Sequence, residues 1–247
     1  MKEFIFEVCC GSVDDVIQAE KGGADRVELN SNLFYGGLTP SIGSLIAAKK
    51  LTGVKIMTMV RPREGGFKYT DAEFQTALID AKELLAHGAD GIVFGFLKSD
   101  GSIDTKRCKK MMDIIGDKAS VFHRAIDVVP DWRKAIDTLA DLGVTRILTS
   151  GQEPNVFFGL DTVREMIEYA GGRIEILPGA GVTEKNMLQI IHATGCTQLH
   201  FERHKLQFDT STSNNNNIFY GGALYPPEDR YGIIDTDYIA DVCKKIR

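Results

Sequence analysis

One short junction decides the fold, and it reads Gly22-Gly23-Ala24-Asp25-Arg26-Val27-Glu28-Leu29. Glycine commonly ends a helix because its backbone reaches the left-handed conformation, and here a short apolar run follows at once. The same order returns at three later junctions, which are Gly88-Ala89-Asp90, Gly143-Val144-Thr145 and Gly195-Cys196-Thr197. These junctions indicate a degenerate internal repeat of helix, glycine and strand.

Eight short runs of β-branched or aromatic residues alternate with stretches of helical periodicity. The runs begin near Phe4, Asp25, Val54, Asp90, Ala119, Thr145, Arg173 and Thr197. Their spacing averages about 28 residues, which one strand, one helix and two turns require in a parallel unit. Eight such units predict an α/β fold, a closed (β/α)8 TIM-type barrel, in a single domain over residues 1–247. A doubly wound open sheet usually carries a GxGxxG turn, which this sequence lacks.

One region interrupts this rhythm after the eighth run. Residues 205–230 contain a polar tract of Thr, Ser and Asn from Thr210 to Asn217. Such a composition predicts a long polar surface loop. A last helix is expected after it, from about Asp235 to Ile246.

Charge and hydropathy exclude several classes of protein. The formal net charge is −5, with 29 Lys and Arg residues against 34 Asp and Glu residues, which argues against nucleic acid and membrane surfaces as partners. No stretch approaches the ~18 apolar residues of a membrane-spanning helix. Glu3 and Glu7 stand where a signal peptide would need an apolar core. We therefore expect a cytoplasmic protein.

The strand ends carry most of the candidate functional groups. In a barrel of this kind the active site lies at the carboxyl ends of the strands. The residues there are Glu7 and Cys9 on the first strand, Glu28 and Asn30 on the second, Arg61 and Arg63 on the third, His123, Arg124 and Asp127 on the fifth, Thr149, Ser150 and Gln152 on the sixth, and His200 and Glu202 on the eighth. Ionisable groups over an apolar floor must pair with one another or with a ligand.

The run from Phe122 to Asp127 concentrates these groups. A histidine moves protons near neutral pH, an arginine grips a carboxylate or phosphate, and an aspartate orients either. The catalytic candidates are Glu7, Glu28, His123, Arg124 and Asp127. An alternative stays open, in which Arg124 only neutralises Glu28 or Glu7 within the mouth of the barrel.

A glycine-rich turn follows the seventh strand and reads Pro178-Gly179-Ala180-Gly181-Val182-Thr183. Backbone without side chains can approach a ligand closely, and many barrels hold phosphate at this place. The ligand-binding candidates are Arg61, Arg63, Ser150, Gly179, Gly181 and His200. The alternative is a tight turn that needs glycine only for its backbone angles.

Cysteine spacing alone predicts no metal site. The five cysteines form an odd set without a CxxC pair, which fits neither a disulfide framework nor a zinc ribbon. Adjacent Cys9 and Cys10 face opposite sides of a strand, so only one of them can reach a given site.

Together the motifs resemble the CutC family, which is named for copper homeostasis. The resemblance runs from Phe4 to about Glu202 and rests on Glu7-Val8-Cys9, Gly23 to Leu29, Gly36 to Ser41, Arg61-Pro62-Arg63, Phe122 to Asp127, Leu148 to Gly151 and Gly179-Ala180-Gly181. It implies a TIM-type barrel in a cytosolic homo-oligomer, a dimer or a tetramer, with Cu(I) bound by strand-end cysteines. Cys9 matches the first such cysteine. The second is here Asn30, whose amide is a hard ligand.

Two functional hypotheses follow. The first is a copper-homeostasis protein in which Cys9 and a second soft ligand bind Cu(I). The alternative is an enzyme that acts on a small anionic substrate, phosphorylated or carboxylated, by acid/base chemistry, with Arg61, Arg63 and Arg124 as anchors. A scaffold for partner proteins ranks last, because a scaffold does not require an ionisable mouth.

Overall fold

A computed structural model of the chain describes residues 4–215, 217–221 and 226–247. Eight strands form one sheet: β1 (Ile5–Cys10), β2 (Arg26–Leu29), β3 (Lys55–Met59), β4 (Gly91–Phe94), β5 (Ala119–Phe122), β6 (Arg146–Thr149), β7 (Glu175–Pro178) and β8 (Gln198–Phe201). Eight helices accompany them: α1 (Val13–Lys21), α2 (Ile42–Leu51), α3 (Asp71–Ala86), α4 (Thr105–Ile115), α5 (Trp132–Asp141), α6 (Leu160–Ala170), α7 (Met187–Thr194) and α8 (Thr236–Ile246). The predicted (β/α)8 barrel is confirmed.

The sheet is a nearly closed barrel of parallel strands in the order β7-β6-β5-β4-β3-β2-β1-β8. Between β7 and β8 the described residues form no ladder, and the Gln198 side-chain amide spans this seam by donating to the Ile176 carbonyl at 3.3 Å. Because β8, β1 and β2 are neighbours, side chains on them meet although they are far apart in sequence. In register, Glu7 lies opposite both Arg26 and His200.

Two apolar layers hold the barrel together. The larger one packs the outer faces of the strands against the helices. The smaller one fills the barrel interior with Met57, Met59, Val93, Val121, Leu148 and Leu177. This interior layer is the apolar floor beneath the strand ends, as expected for a barrel of this size.

Polar side chains fix the starts of the helices. The Ser12 hydroxyl accepts a hydrogen bond from the Asp15 backbone N–H at 3.1 Å, and Thr70 with Glu73 forms a complete capping box at the start of α3. These bonds satisfy backbone donors that have no partner within the helix. None of the helices among the described residues is long and apolar enough to cross a membrane.

The predicted loop over about residues 205–230 differs from the structure at its start, where residues up to Phe208 form a strand. Strands β9 (His204–Phe208) and β10 (Arg230–Ile234) pair antiparallel as a ribbon before α8. The ribbon is anchored at its base, where the Asp15 carboxylate accepts a hydrogen bond from the Ile234 backbone N–H at 2.8 Å. The polar tract dominates the composition of this region. The alternation of side chains in the two short strands that flank it was therefore not recognised. Residues 216 and 222–225 of the predicted loop lie outside the described residues, as does Glu3.

Candidate functional site

A cavity of about 530 Å³ opens at the carboxyl ends of the barrel strands. Its volume lies within the range of small-molecule pockets, about 300–1,000 Å³. The predicted site residues that line it are Cys9, Glu28, Arg61, His123, Arg124, Gly181 and His200. Met59 and Leu148 supply apolar wall beneath them. The structure thus brings these side chains around one opening, while their functional roles stay predictions.

The remaining predicted site residues do not line the cavity; they are Glu7, Arg63, Asp127, Ser150 and Gly179. Glu7 lies one interior layer deeper than Cys9, because side chains two residues apart on a strand share a face at different depths. The other four lie beyond the strand ends, Asp127 in a short 3-10 helix (Arg124–Val128) and the rest in loops, where strand alternation no longer sets the direction of a side chain.

Three potential metal ligands meet where β8, β1 and β2 run side by side. One ligand atom each of Cys9, Glu28 and His200 lies within 4.8 Å of the other two. Cys9 is directly opposite Glu28 in the register of β1 and β2. Glu28 and His200 are buried, and Cys9 is half-buried. A thiol, a carboxylate and an imidazole at this spacing form the donor set of a metal site.

Glu7 orients the imidazole of His200 from below. Its carboxylate lies 2.8 Å from Nδ1 of His200 and forms a buried ion pair with Arg26. This contact leaves Nε2 of His200 as the nitrogen that could bind a metal, and metal-binding histidines commonly have such a carboxylate behind them. Although burial opposes ionisation, Arg26 and His200 hold the pKa of Glu7 well below its ordinary value. Glu7 is therefore a charged support for the site.

Asn30 completes this side of the cavity. Its Nδ2 donates hydrogen bonds to Oε1 of Glu28 at 2.9 Å and to Sγ of Cys9 at 3.5 Å. Oε2 of Glu28 and Oδ1 of Asn30 are buried and have no hydrogen-bond partner among the described residues. Unsatisfied buried acceptors are costly, and a proton or a cation would satisfy them.

Burial controls protonation in the same group. It raises the pKa of the Cys9 thiol well above its ordinary value, and the Glu28 carboxylate raises it further. Burial also raises the pKa of Glu28. For His200, burial lowers the pKa, but the carboxylates of Glu28 and Glu7 outweigh this effect and the pKa is raised. Without a cation, burial therefore favours the protonated forms of Cys9 and Glu28 more than water does.

Arg61 tethers two loops at the end of β3, the strand that pairs with β2. Its guanidinium donates hydrogen bonds to the carbonyl oxygens of Tyr35, Gly37 and Gly65 at 2.8–3.0 Å. No carboxylate forms an ion pair with Arg61 in the described part of the chain, and its buried Nε has no hydrogen-bond partner there. Arg61 therefore gives this wall an uncompensated positive charge.

His123 is buried as a neutral imidazole. Its Nδ1 accepts a hydrogen bond from the Ala125 backbone N–H at 3.1 Å, so the ring proton belongs on Nε2, which has no partner among the described residues. The Phe67 ring packs 4.7 Å from it, between centroids. Burial, with the positive charge of Arg61, lowers the pKa of His123 to about 3. His123 can thus donate a hydrogen bond without carrying charge.

Asp127 positions Arg124 and the start of the next loop. It accepts hydrogen bonds from Nε of Arg124 at 2.8 Å, from the Thr149 hydroxyl at 2.5 Å and from the Ser150 hydroxyl at 2.8 Å. The Ser150 hydroxyl in turn accepts from Nη2 of Arg124 at 2.7 Å. The alternative in which Arg124 neutralises Glu28 or Glu7 is wrong, because Asp127 is its ion-pair partner.

Arg63 points away from the cavity. It forms an ion pair with Glu73 at 2.7 Å and donates hydrogen bonds to the carbonyl oxygens of Glu64, Gly66 and Lys68. The prediction that Arg63 lies among the ligand-binding residues is wrong in position. The chain turns after Pro62, so that the side chain braces its own loop against α3.

The glycine-rich turn after β7 reaches the cavity through its second glycine. Gly181 lines the opening, and its φ of +72° is a conformation that favours glycine. A Cβ on Gly179 would lie 2.7 Å from a Leu148 methyl group and 3.1 Å from Cβ of His200. Gly179 is therefore required for close packing beneath His200, which agrees with the structural alternative for this residue.

The sequence analysis missed the polar layer beneath the cavity. Arg26 and Gln198 are buried, and a 2.6 Å hydrogen bond from the guanidinium of Arg26 to Oε1 of Gln198 joins them. Strand alternation contained the signal: Arg26 shares a face with Glu28, and Gln198 shares a face with His200. Phe67, from the loop after β3, packs against His123.

The cavity thus has two chemically different sides. Acceptors on β8, β1 and β2 suit a metal cation or a proton, while Arg61 after β3, and His123 and Arg124 after β5, supply hydrogen-bond donors and positive charge. An apolar floor and partial burial strengthen both kinds of interaction. The arrangement can hold a metal ion, a small polar molecule, or both together.

Comparison with known proteins gives a consistent result. Residues 4–205 match the model of the CutC family. A CutC family protein of Treponema denticola is 53% identical over 246 residues and covers 100% of both chains. The human copper homeostasis protein cutC homolog is 39% identical over 234 residues, which is 95% of this chain and 85% of the human one. The crystal structure of a copper homeostasis protein CutC from Streptococcus agalactiae, 35% identical, superposes with a TM-score of 0.77 over 80% of this chain and 98% of that one.

Proposed function

Since the chain belongs to the CutC family, we propose that it takes part in copper homeostasis by binding a copper ion in the mouth of the barrel. Cys9, Glu28 and His200 would hold the ion. One observation carries the proposal: these three side chains come from three adjacent strands and offer ligand atoms within 4.8 Å of one another. The names of the relatives support copper as the metal, and the proximity of the three ligand atoms supports this position for it.

The chemistry of the donor set fits a copper ion. Cys9 contributes the soft thiolate that Cu(I) prefers, and His200 contributes an imidazole, which suits copper in either oxidation state. Glu7 holds that imidazole by its other nitrogen. The unpartnered Oε2 of Glu28 gains a partner when a cation binds. Binding would release the proton of Cys9, because the thiolate is the form that binds a metal.

The test is a competition titration between the protein and a Cu(I) chelator under reducing, oxygen-free conditions. We expect one copper ion per chain, with binding lost in Cys9→Ala and weakened in His200→Gln. Cys10→Ala is the matched control, because the neighbouring thiol is buried on the other side of the strand, where it contacts the Val8 carbonyl. Copper binding that is unchanged in Cys9→Ala would remove the role proposed for this residue.

We further expect the protein to work in the cytoplasm as a homo-oligomer, a dimer or a tetramer. The family resemblance supports this expectation, and the net charge of −5 is compatible with a soluble assembly. Light scattering coupled to size-exclusion chromatography would measure the mass directly. A monomeric mass at micromolar concentration would contradict it.

A further inference from the structure

The turn after β7 presents three consecutive backbone N–H groups without partners. Those of Ala180, Gly181 and Val182 donate no hydrogen bond within the described ranges, whereas the N–H groups on either side, of Gly179 and Thr183, are both bonded. All three residues line the cavity. Backbone donors that converge without a protein acceptor commonly bind an anion.

The turn is held rigidly in an unfavourable conformation. Ala180 has a φ of +73°, which costs energy for any residue other than glycine. Two hydrogen bonds fix it: the Ala180 carbonyl accepts from the Val156 backbone N–H at 3.0 Å, and the Gly181 carbonyl accepts from the Asn186 side chain at 2.9 Å. The carbonyl groups are therefore occupied, while the N–H groups stay available.

Arg124 also lines the cavity, and one nitrogen of its guanidinium group is available to a ligand. Nε and Nη2 bind Asp127 and Ser150, but Nη1 makes no hydrogen bond to the described residues. Asp127 and Ser150 thus fix the orientation of the guanidinium group. Its Nη1 remains available to donate hydrogen bonds to a ligand. Two buried donors without partners, Nε2 of His123 and Nε of Arg61, belong to the adjoining wall. Unsatisfied donors there complement the unsatisfied acceptors of Glu28 and Asn30.

We propose that this cavity binds a small molecule through an oxyanion group, a carboxylate or a phosphate, held by Arg124 and by the backbone N–H groups of residues 180–182. The site lies beside His200, because the turn follows β7 and packs against β8, and it does not require a metal ion to be bound to Cys9, Glu28 and His200. The cavity of about 530 Å³ is far larger than one metal ion needs, so a metabolite-sized ligand fits beside it.

Charge sets the class of ligand. Arg61 lacks an ion-pair partner in the described structure and attracts an anion, whereas the carboxyl groups of Glu28 and Glu202 also line the cavity and oppose one. A singly charged oxyanion at the end of a neutral or hydroxylated molecule suits this balance better than a highly charged group. Such a ligand is what the enzymatic alternative would require as its substrate.

The experiment measures binding of inorganic phosphate and of acetate by calorimetry at constant ionic strength, with the metal-free protein. Arg124→Gln removes the proposed contact. Arg63→Gln is the matched control, because that arginine has a similar exposure but faces away from the cavity. Arg124→Lys keeps the charge but loses the fork, and circular dichroism verifies that each variant is folded.

We expect Arg124→Gln to weaken binding about tenfold, the effect of losing one charge-assisted hydrogen bond. Arg63→Gln should bind as the wild type does, with Arg124→Lys in between. Saturable binding of phosphate, or of acetate alone, with this pattern supports the proposal and identifies the oxyanion. No saturable binding of either probe, or equal affinities in Arg124→Gln and Arg63→Gln, overturns it. Neither outcome depends on whether copper binds to Cys9.

Discussion

Replacing Glu7 by glutamine tests the polar layer beneath the cavity. Glu7 and Arg26 form an ion pair whose side chains are 1% and 7% exposed. The substitution keeps the shape of the side chain and removes its charge, so that Arg26 remains buried with Gln198 as a neutral partner and with the positive charge of Arg146 nearby. Losing one partner of a buried ion pair costs about 3–5 kcal/mol.

The expected loss is large compared with that of an exposed pair. Glu165 pairs with Arg133 at 2.7 Å, but both side chains are about half exposed, and such a pair contributes only about 0–1 kcal/mol. Glu165→Gln is therefore the matched control for Glu7→Gln. For a chain of this size each kcal/mol shifts the melting temperature by about 2–4 °C, so Glu7→Gln should melt roughly 6–20 °C lower.

Urea denaturation followed by circular dichroism measures the free energies of unfolding from the midpoints, provided that the slopes agree. A second substitution, Arg26→Met, removes the buried charge that Glu7→Gln leaves without an ion-pair partner. The double variant should therefore recover part of the stability lost in Glu7→Gln. If Glu7→Gln lies within about 1 kcal/mol of Glu165→Gln, the reasoning about the buried layer is refuted.

Two further predictions concern the ribbon and the cavity wall. His204 lies 3.9 Å from the Asp15 carboxylate, which raises its pKa, so its contribution to stability is full below about pH 6.5 and is lost as the pH rises through the raised value. The difference in unfolding free energy between wild type and His204→Gln should therefore be larger at pH 5.5 than at pH 9, and a difference independent of pH would contradict this. Gly95→Ala would place a Cβ 2.3 Å from Cε1 of His123 and should cost about 1–3 kcal/mol. Gly66→Ala is the control, since its Cβ meets nothing within 4 Å, and equal melting temperatures of the two variants would be the contrary result.

The fold could be predicted because each unit of the barrel repeats the same local rule. A helix that ends at glycine and a short apolar strand recur at nearly constant spacing, and eight such units in about 250 residues are typical of a closed parallel barrel. The ribbon of β9 and β10 escaped this reasoning. Its strands are short and exposed, so neither burial nor a glycine junction marks them in the sequence.

The site could be predicted as far as strand alternation extends. Cys9, Glu28 and His200 lie within strands β1, β2 and β8. The inward direction of their side chains therefore follows from the alternation of side chains along a strand. Arg63 and Asp127 come after the strands have ended, and there only loop conformation decides where a side chain points. Sequence patterns contain no comparable rule for loops, which is why Arg63 was misplaced.

The pairing of β1 with β8 also determines the order in which the partners of Glu7 become available during synthesis. Glu7 and His200 are 193 residues apart, whereas Arg26 follows Glu7 by only 19. At about 5–20 residues per second, a ribosome delivers the arginine within a few seconds and the histidine some ten to forty seconds later. The arginine partner of Glu7 is thus available early in translation, whereas the edge of β1 that pairs with β8 has no partner until the eighth strand has been made.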